Sequence, residues 1–220
     1  MKVLKENSLY LVTSQEYSGR RNTLDVVKSA VLAGIDIVQM REKEMTRKEL
    51  VWLGKEISFL CLEKDIIFIV NDDPFLAEEV GSDGVHLGQG DINIYNLRQT
   101  RDILGKEKII GVSTHSLSQF EKANNSDCDY IAFGPIFSTK TKDYSIGVAD
   151  IKKVLDLSLK PVFFIGGINL DNLDIILNKG AKNIAMIRAL VNAEDIVRCI
   201  KDFKNKLNDN NFVLGETNER

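Results

Sequence analysis

A chain of 220 residues, 44% hydrophobic and 28% charged, can bury one sizeable core and has the balance of a soluble globular protein. Its net charge of −3 and pI near 5.6 exclude the broadly basic surface that nucleic acids or anionic membranes require, so a bound anion must meet a local cluster of cations. Its 3 cysteines, Cys61, Cys128 and Cys199, lie far apart without metal-ligand spacing, and read as reduced thiols of a cytoplasmic protein.

Residues 1–7 lack the apolar run of a signal peptide, and no window approaches a transmembrane span. From there, apolar β-branched runs alternate with helical periodicity. A predicted strand over 9–13 is followed by a helix over 23–33, and a strand over 35–40 by a helix over 47–63 that opens on a Thr46–Glu49 capping box. A strand over 66–71 precedes a helix over 74–80, with Pro74 at a first helical position. Next come strand 84–87 with helix 94–104, strand 108–113 with helix 117–124, and strand 130–137 with helix 148–157. Strand 162–165 with helix 170–179 and strand 183–187 with helix 193–207 complete the series. Gly34, Gly105 and Gly180 stand where helices should stop.

Eight strand–helix units, only 3 prolines and no Pro-, Gly- or Ser-rich linker predict a single-domain α/β protein, a (β/α)8 TIM barrel over residues 1–207 with a polar C-terminal tail over 208–220. A doubly wound open sheet is the competing arrangement, and the strict eightfold alternation weighs against it. Trp52, in the second helix, is expected to cover the outside of the barrel.

In such a barrel the site lies at the C-terminal strand ends. The second strand runs into Val38-Gln39-Met40-Arg41-Glu42-Lys43, where two-residue alternation sets Gln39, Arg41 and Lys43 on one face. An amide and two cations pointing one way suit a di-anion, unless the strand has already ended and the cations are solvated loop charges. The third strand ends in Asn71-Asp72-Asp73, the fourth runs into His86-Leu87-Gly88-Gln89-Gly90-Asp91, and the fifth ends in Gly111-Val112-Ser113-Thr114-His115. Arg41, Lys43 and Lys142 supply cations, and Asp72 and Asp91 supply carboxylates, the combination expected for a diphosphate carried with Mg2+. Asp72 competes for the cap of the helix starting at Pro74, a role Asp73 fits better. Gly166-Gly167 after the seventh strand and the turn after the eighth are the usual place for a backbone phosphate site, to which Thr139 and Thr141 add hydroxyl donors. Two anion sites in one pocket imply two phosphorylated substrates or one bisphosphate. His86 fits packing in the fourth strand, and a lone His115 is more often structural than catalytic.

In order and on the expected strands, Tyr10-Leu11-Val12-Thr13, the Val38–Lys43 run, Asn71-Asp72, His86–Asp91, Gly111-Val112-Ser113, Gly134-Pro135-Ile136-Phe137 and Gly166-Gly167-Ile168 resemble the thiamine-phosphate synthase family over residues 10–207. The resemblance implies a barrel transferase that couples 4-amino-2-methyl-5-hydroxymethylpyrimidine diphosphate to a thiazole phosphate, giving thiamine phosphate and pyrophosphate. It implies that Gln39, Met40, Arg41, Glu42, Lys43, Asn71, Ser113 and Lys142 bind the pyrimidine diphosphate, and that Asp72 and Asp91 hold Mg2+. Thr139, Lys140, Thr141, Gly167, Ile187 and Arg188 would bind the thiazole phosphate, the last two through backbone N–H. Arg41, Lys43, Ser113 and Lys142 would carry catalysis, stabilising diphosphate as it leaves a pyrimidine cation that the thiazole nitrogen traps. The implied partners are two phosphorylated small molecules, with no nucleic acid or membrane and with homo-oligomerisation left open. The alternatives are a thiazole tautomerase of the same family acting through His115 and a non-catalytic binder of thiamine phosphates. A sugar-phosphate aldolase would need a Schiff-base lysine inside a strand, and the predicted strands offer none.

Overall fold

Short runs of apolar residues buried on both faces can only form a wall covered from both sides, and a closed parallel barrel supplies that environment. In the computed structural model, which describes residues 2–139 and 144–209, the strands β1 (Leu9–Val12), β2 (Ile37–Met40), β3 (Ile67–Asn71), β4 (Gly84–Leu87), β5 (Ile109–Thr114), β6 (Tyr130–Phe133), β7 (Val162–Ile165) and β8 (Asn183–Met186) pair in chain order. All are parallel, and β1 closes the ring on β8 with Tyr10 opposite Ala185. The helices around it are α1 (Thr23–Leu32), α2 (Arg47–Glu63), α3 (Pro74–Glu79), α4 (Leu97–Leu104), α5 (Leu117–Asn124), α6 (Ile151–Leu157), α7 (Leu173–Leu177), α8 (Arg188–Val191) and α9 (Ile196–Asn208). This is the predicted (β/α)8 barrel. Among the described residues no helix is long and apolar enough to cross a membrane.

Alternation along each strand separates two cores. Leu9, Leu11, Val38, Met40, Phe68 and Val70 belong to the outer layer against the helices. Tyr10, Val12, Ile37, Ile69, Ile109, Tyr130 and Phe163 fill the barrel itself. The inner layer is strongly aromatic: the Phe163 ring sits edge-on to both Tyr10 and Tyr130, with centroids 5.4 Å away in each case. Gly111 on β5 makes room for it, since a Cβ there would fall 2.0 Å from Cζ of Tyr130.

A repeated device fastens the end of the barrel opposite the strand C-termini. Asp36, Asp83 and Asp129 each stand one residue before an even-numbered strand. Each carboxylate accepts the backbone N–H of the neighbouring odd strand: Leu9 at 2.8 Å, Phe68 at 2.8 Å and Ile110 at 2.7 Å. Each also pairs with a cation, respectively Lys204, Lys2 and Arg101. At the equivalent place in β8, Asn183 accepts instead from the N–H of Ser8 at 3.1 Å.

The local chemistry corrects several predicted boundaries. The Thr46–Glu49 capping box and the Asp73 cap before Pro74 are present. The fourth helix begins at Leu97 rather than 94, because Asp91–Asn93 form a 3-10 turn and Asn96 caps the helix with Gln99. The seventh begins at Leu173 rather than 170, because the Asn172 side chain accepts from the N–H of Asn169, and the Asn169 side chain from those of Asp171 and Asn172, which holds them in a turn. β6 stops at Phe133 rather than 137, where Gly134-Pro135 breaks the ladder. A four-residue helix, α8, follows β8 directly, and the last helix starts at Ile196 behind its Asp195 cap instead of at 193. Trp52 does lie on the outside of α2, but it is 58% exposed and shields little. Of the expected tail, residues 210–220 lie outside the described residues.

Candidate active site

At the C-terminal ends of the strands the barrel opens into a cavity of about 770 Å³. Its wall on the side of β2–β5 consists of side chains. Gln39 points inward from β2, 4% exposed, and its Nε2 donates to Tyr10 Oη at 2.7 Å. Beyond the strand the same alternation carries Arg41 and Lys43 onto the cavity, with the Arg41 backbone N–H fixed on Thr13 Oγ1 at 3.0 Å. β2 has therefore ended before the two cations, yet both face the site. Their even-numbered neighbours in the pattern behave otherwise: Met40 packs in the outer apolar layer, and Glu42 accepts from Gln15 N at 2.8 Å and Thr23 Oγ1 at 2.7 Å. Neither lines the cavity, because alternation turns Met40 outward and Glu42 is consumed in tying the β1–α1 loop.

Asn71, Asp72 and Asp91 come together over β3 and β4. Asp72 holds a left-handed backbone with φ +67°, a conformation uncommon outside glycine, and its N–H donates to His86 O at 2.8 Å. Asp91 Oδ2 accepts from Gly88 N at 3.2 Å, and a Cβ on Gly88 would lie 2.7 Å from that oxygen. Burial, then the hydrogen bond and charge of Asp91, push the Asp72 carboxyl up to about 6, against the opposing Gly88 N–H and Arg41 charge. Among the described residues no group of three or more His, Cys, Asp or Glu side chains could hold a metal ion, so a cation here would meet a carboxylate pair and need its remaining ligands from substrate and water.

Below these groups lies a polar chain that the sequence reading did not assemble. Tyr10 Oη and Tyr130 Oη are 2.8 Å apart, Tyr130 Oη is 2.9 Å from His86 Nδ1, and His86 Nε2 is 2.8 Å from Ser113 Oγ. Burial, assisted by the charge of His115, drives His86 down to about 4 and keeps it neutral. Burial likewise raises both tyrosines. Gln89 Nε2 donates to Ser113 O at 2.5 Å and holds that strand end. The signal in the sequence was inward-facing polar residues on four different strands, together with Gly111.

The opposite wall, over β6–β8, is mostly backbone. Gly134, Gly166 and Gly167 line it, the last two at φ +104° and +64°. A Cβ on Gly134 would meet Ile165 O at 2.0 Å, and one on Gly167 would meet Ser138 O at 2.6 Å. Ile187, Arg188 and Thr139 also line the cavity, and the Arg188 guanidinium stands 5.7 Å from the centroid of the Tyr17 ring. His115 joins the rim with Nδ1 2.6 Å from Gly134 O. Lys140, Thr141 and Lys142 lie outside the described residues.

A parallel barrel with cations and carboxylates on one wall of its mouth and close-packed glycine backbone on the other belongs with the barrel enzymes that act on phosphorylated compounds. Comparison with known proteins narrows this. Residues 9–190 match the family model described as thiamine monophosphate synthase. The chain is 37% identical to the thiamine-phosphate synthase of Halalkalibacterium halodurans over 88% of its length and 92% of the relative's. It is 38% identical to that of Prochlorococcus marinus strain SARG over 93% of its length, which spans only 58% of that longer protein. Among solved structures, thiamine phosphate pyrophosphorylase from Pyrococcus furiosus superposes with a TM-score of 0.83 at 31% identity, over 92% of this chain and 96% of that one. The chain belongs to the thiamine monophosphate synthase family.

Proposed function

We propose that the protein is a thiamine-phosphate synthase, a transferase joining the pyrimidine diphosphate to the thiazole phosphate. The observation that carries the reading is one cavity that sets Arg41, Lys43 and the Asp72–Asp91 pair against a glycine-lined backbone wall. Hard carboxylate oxygens held together, one of them pushed up to about 6 by burial and its neighbour, fit a small divalent cation, which would relieve their repulsion. Mg2+ bound there would supply charge neutralisation to a diphosphate.

The residues of the chain do the rest. Arg41 and Lys43 bind diphosphate oxygens and, with Lys142, stabilise negative charge as the bond from the pyrimidine methylene carbon to oxygen breaks and its electron pair leaves with diphosphate. Asn71 and Ser113 orient the pyrimidine diphosphate, and Gln39 supports them from the barrel interior. The backbone of Gly167, Ile187 and Arg188, with Thr139 and the Lys140-Thr141 segment, holds the thiazole phosphate so that its ring nitrogen can donate its lone pair to the cationic carbon. No protein nucleophile takes part. The substrates are two phosphorylated small molecules, and the proposed location is the cytoplasm. The tautomerase alternative is less well supported, since the relatives carry the synthase name and His115 Nδ1 is engaged by Gly134 O.

Incubating the purified protein with both phosphorylated half-substrates tests this reading. Thiamine phosphate and pyrophosphate in equal amounts, dependent on Mg2+ and on both substrates, are expected. Folded protein that releases neither would overturn it.

A further inference from the structure

We propose that the buried side chains Gln39, Tyr10, Tyr130 and His86 form a one-way hydrogen-bond relay, which fixes His86 as its Nε2–H tautomer and leaves the Ser113 hydroxyl proton to donate to an acceptor on the bound substrate. The inference deepens the proposed function and rests on it for the identity of the substrate.

The direction follows from counting protons. Gln39 Nε2 can only donate, so Tyr10 Oη is an acceptor in their 2.7 Å contact. Tyr10 has one proton, and among the described residues the only other hydrogen-bond partner of its buried oxygen is Tyr130 Oη, 2.8 Å away, so Tyr130 is the acceptor. Tyr130 has thus filled one lone pair and turns its own proton to His86 Nδ1 at 2.9 Å. A neutral imidazole that accepts at Nδ1 carries its proton on Nε2, and Nε2 faces Ser113 Oγ at 2.8 Å. Ser113 therefore accepts from below, and its remaining proton points to the cavity it lines. Neutrality of the imidazole follows from its place: His86 is 6% exposed, and both ring nitrogens are bonded to hydroxyl groups rather than carboxylates.

The packing holds this order in place. The His86 ring lies stacked on Tyr130 with centroids 5.5 Å apart and planes 29° apart. Tyr130 in turn occupies the space that Gly111 leaves empty. A chain of aligned donors also polarises along its length, so the serine at its end becomes a stronger donor than an isolated hydroxyl. His86, Tyr130 and Tyr10 are positioning residues, and only Ser113 touches the substrate.

The chain has 2 histidines, so the side-chain nitrogens of His86 can be resolved by 15N NMR of the full-length protein and assigned with His86→Gln. An Nε2–H tautomer is expected, and an Nδ1–H tautomer would overturn the relay. The kinetic test is a double-mutant cycle on pyrophosphate release. Tyr130→Phe should lower kcat about tenfold in the wild-type background and less than about twofold when Ser113 is already Ala. Equal losses in the two backgrounds would mean that Tyr130 does not act through Ser113. If the wild type forms no thiamine phosphate, the functional reading fails, and the NMR result still decides the direction of the relay.

Discussion

The two walls of the cavity solve the problem of holding anions in opposite ways. Over β2–β5 the work falls to side-chain charge: Arg41, Lys43, Asp72 and Asp91 project into the opening from positions that pack little else. Over β6–β8 it falls to backbone, made accessible because Gly134, Gly166 and Gly167 have no Cβ to keep neighbouring strands and loops apart. The first wall can therefore lose chemistry without losing structure, whereas the second cannot be altered without displacing the barrel wall. Seen this way, the glycines are part of the site and of the core at once.

Substitutions can break this contrast. The largest effect is expected for Gly134→Ala, whose Cβ would sit 2.0 Å from the rigid carbonyl of Ile165. The cost should be about 4 kcal/mol or more, seen as a fall in the denaturation midpoint or as failure to accumulate folded protein. A fully stable, active variant would show that backbone approach on this wall is dispensable. Asp91→Asn, on the other wall, keeps its shape and its bond to Gly88 N–H. It should leave stability within about 1 kcal/mol while lowering Mg2+-dependent turnover by about two orders of magnitude. Equal turnover at saturating Mg2+ would remove Asp91 from the proposed cation site.

The smallest expected effect concerns the floor beneath both walls. His86 sits at about 4 in the fold against 6.5 when exposed. Between those values the unfolded chain binds a proton that the folded chain refuses, so stability is full above about pH 6.5 and declines as pH falls toward 4. By pH 5 the loss from this group should be about 2 kcal/mol, measured as the difference in guanidinium unfolding between wild type and His86→Gln. A difference that does not change between pH 7 and pH 5 would show that His86 is not held neutral by its surroundings.

Much of this was legible in the sequence because the signals are local. Strand–helix alternation, the Thr46 and Asp73 caps and the inward row of Gln39, Arg41 and Lys43 all follow from periodicity and short-range hydrogen bonding. The same alternation, taken strictly, would have excluded Met40 and Glu42, which entered the predicted site only as members of a contiguous motif. α8 escaped notice because four helical residues leave no periodic trace. The His86–Tyr130–Tyr10 chain escaped for another reason: residues on β4, β6 and β1 meet only across a closed interior, and no window of sequence contains that closure.

The aspartate fasteners at the far end of the barrel also bear on how the ring is held shut. Through its side chain Asp36 joins β2 to β1, Asp83 joins β4 to β3, and Asp129 joins β6 to β5, while the carbonyls of Asp36 and Asp83 accept from Ile67 on β3 and Ile109 on β5. The side-chain clasps thus recur in steps of two, and the backbone of Asp36 and Asp83 carries the ladder on to the next strand. Asn183 breaks the series by reaching forward to Ser8, at the seam where the last strand meets the first. Three internal clasps and one closing clasp brace the ring at the end opposite the cavity, so the mouth that holds the site is framed from its far side.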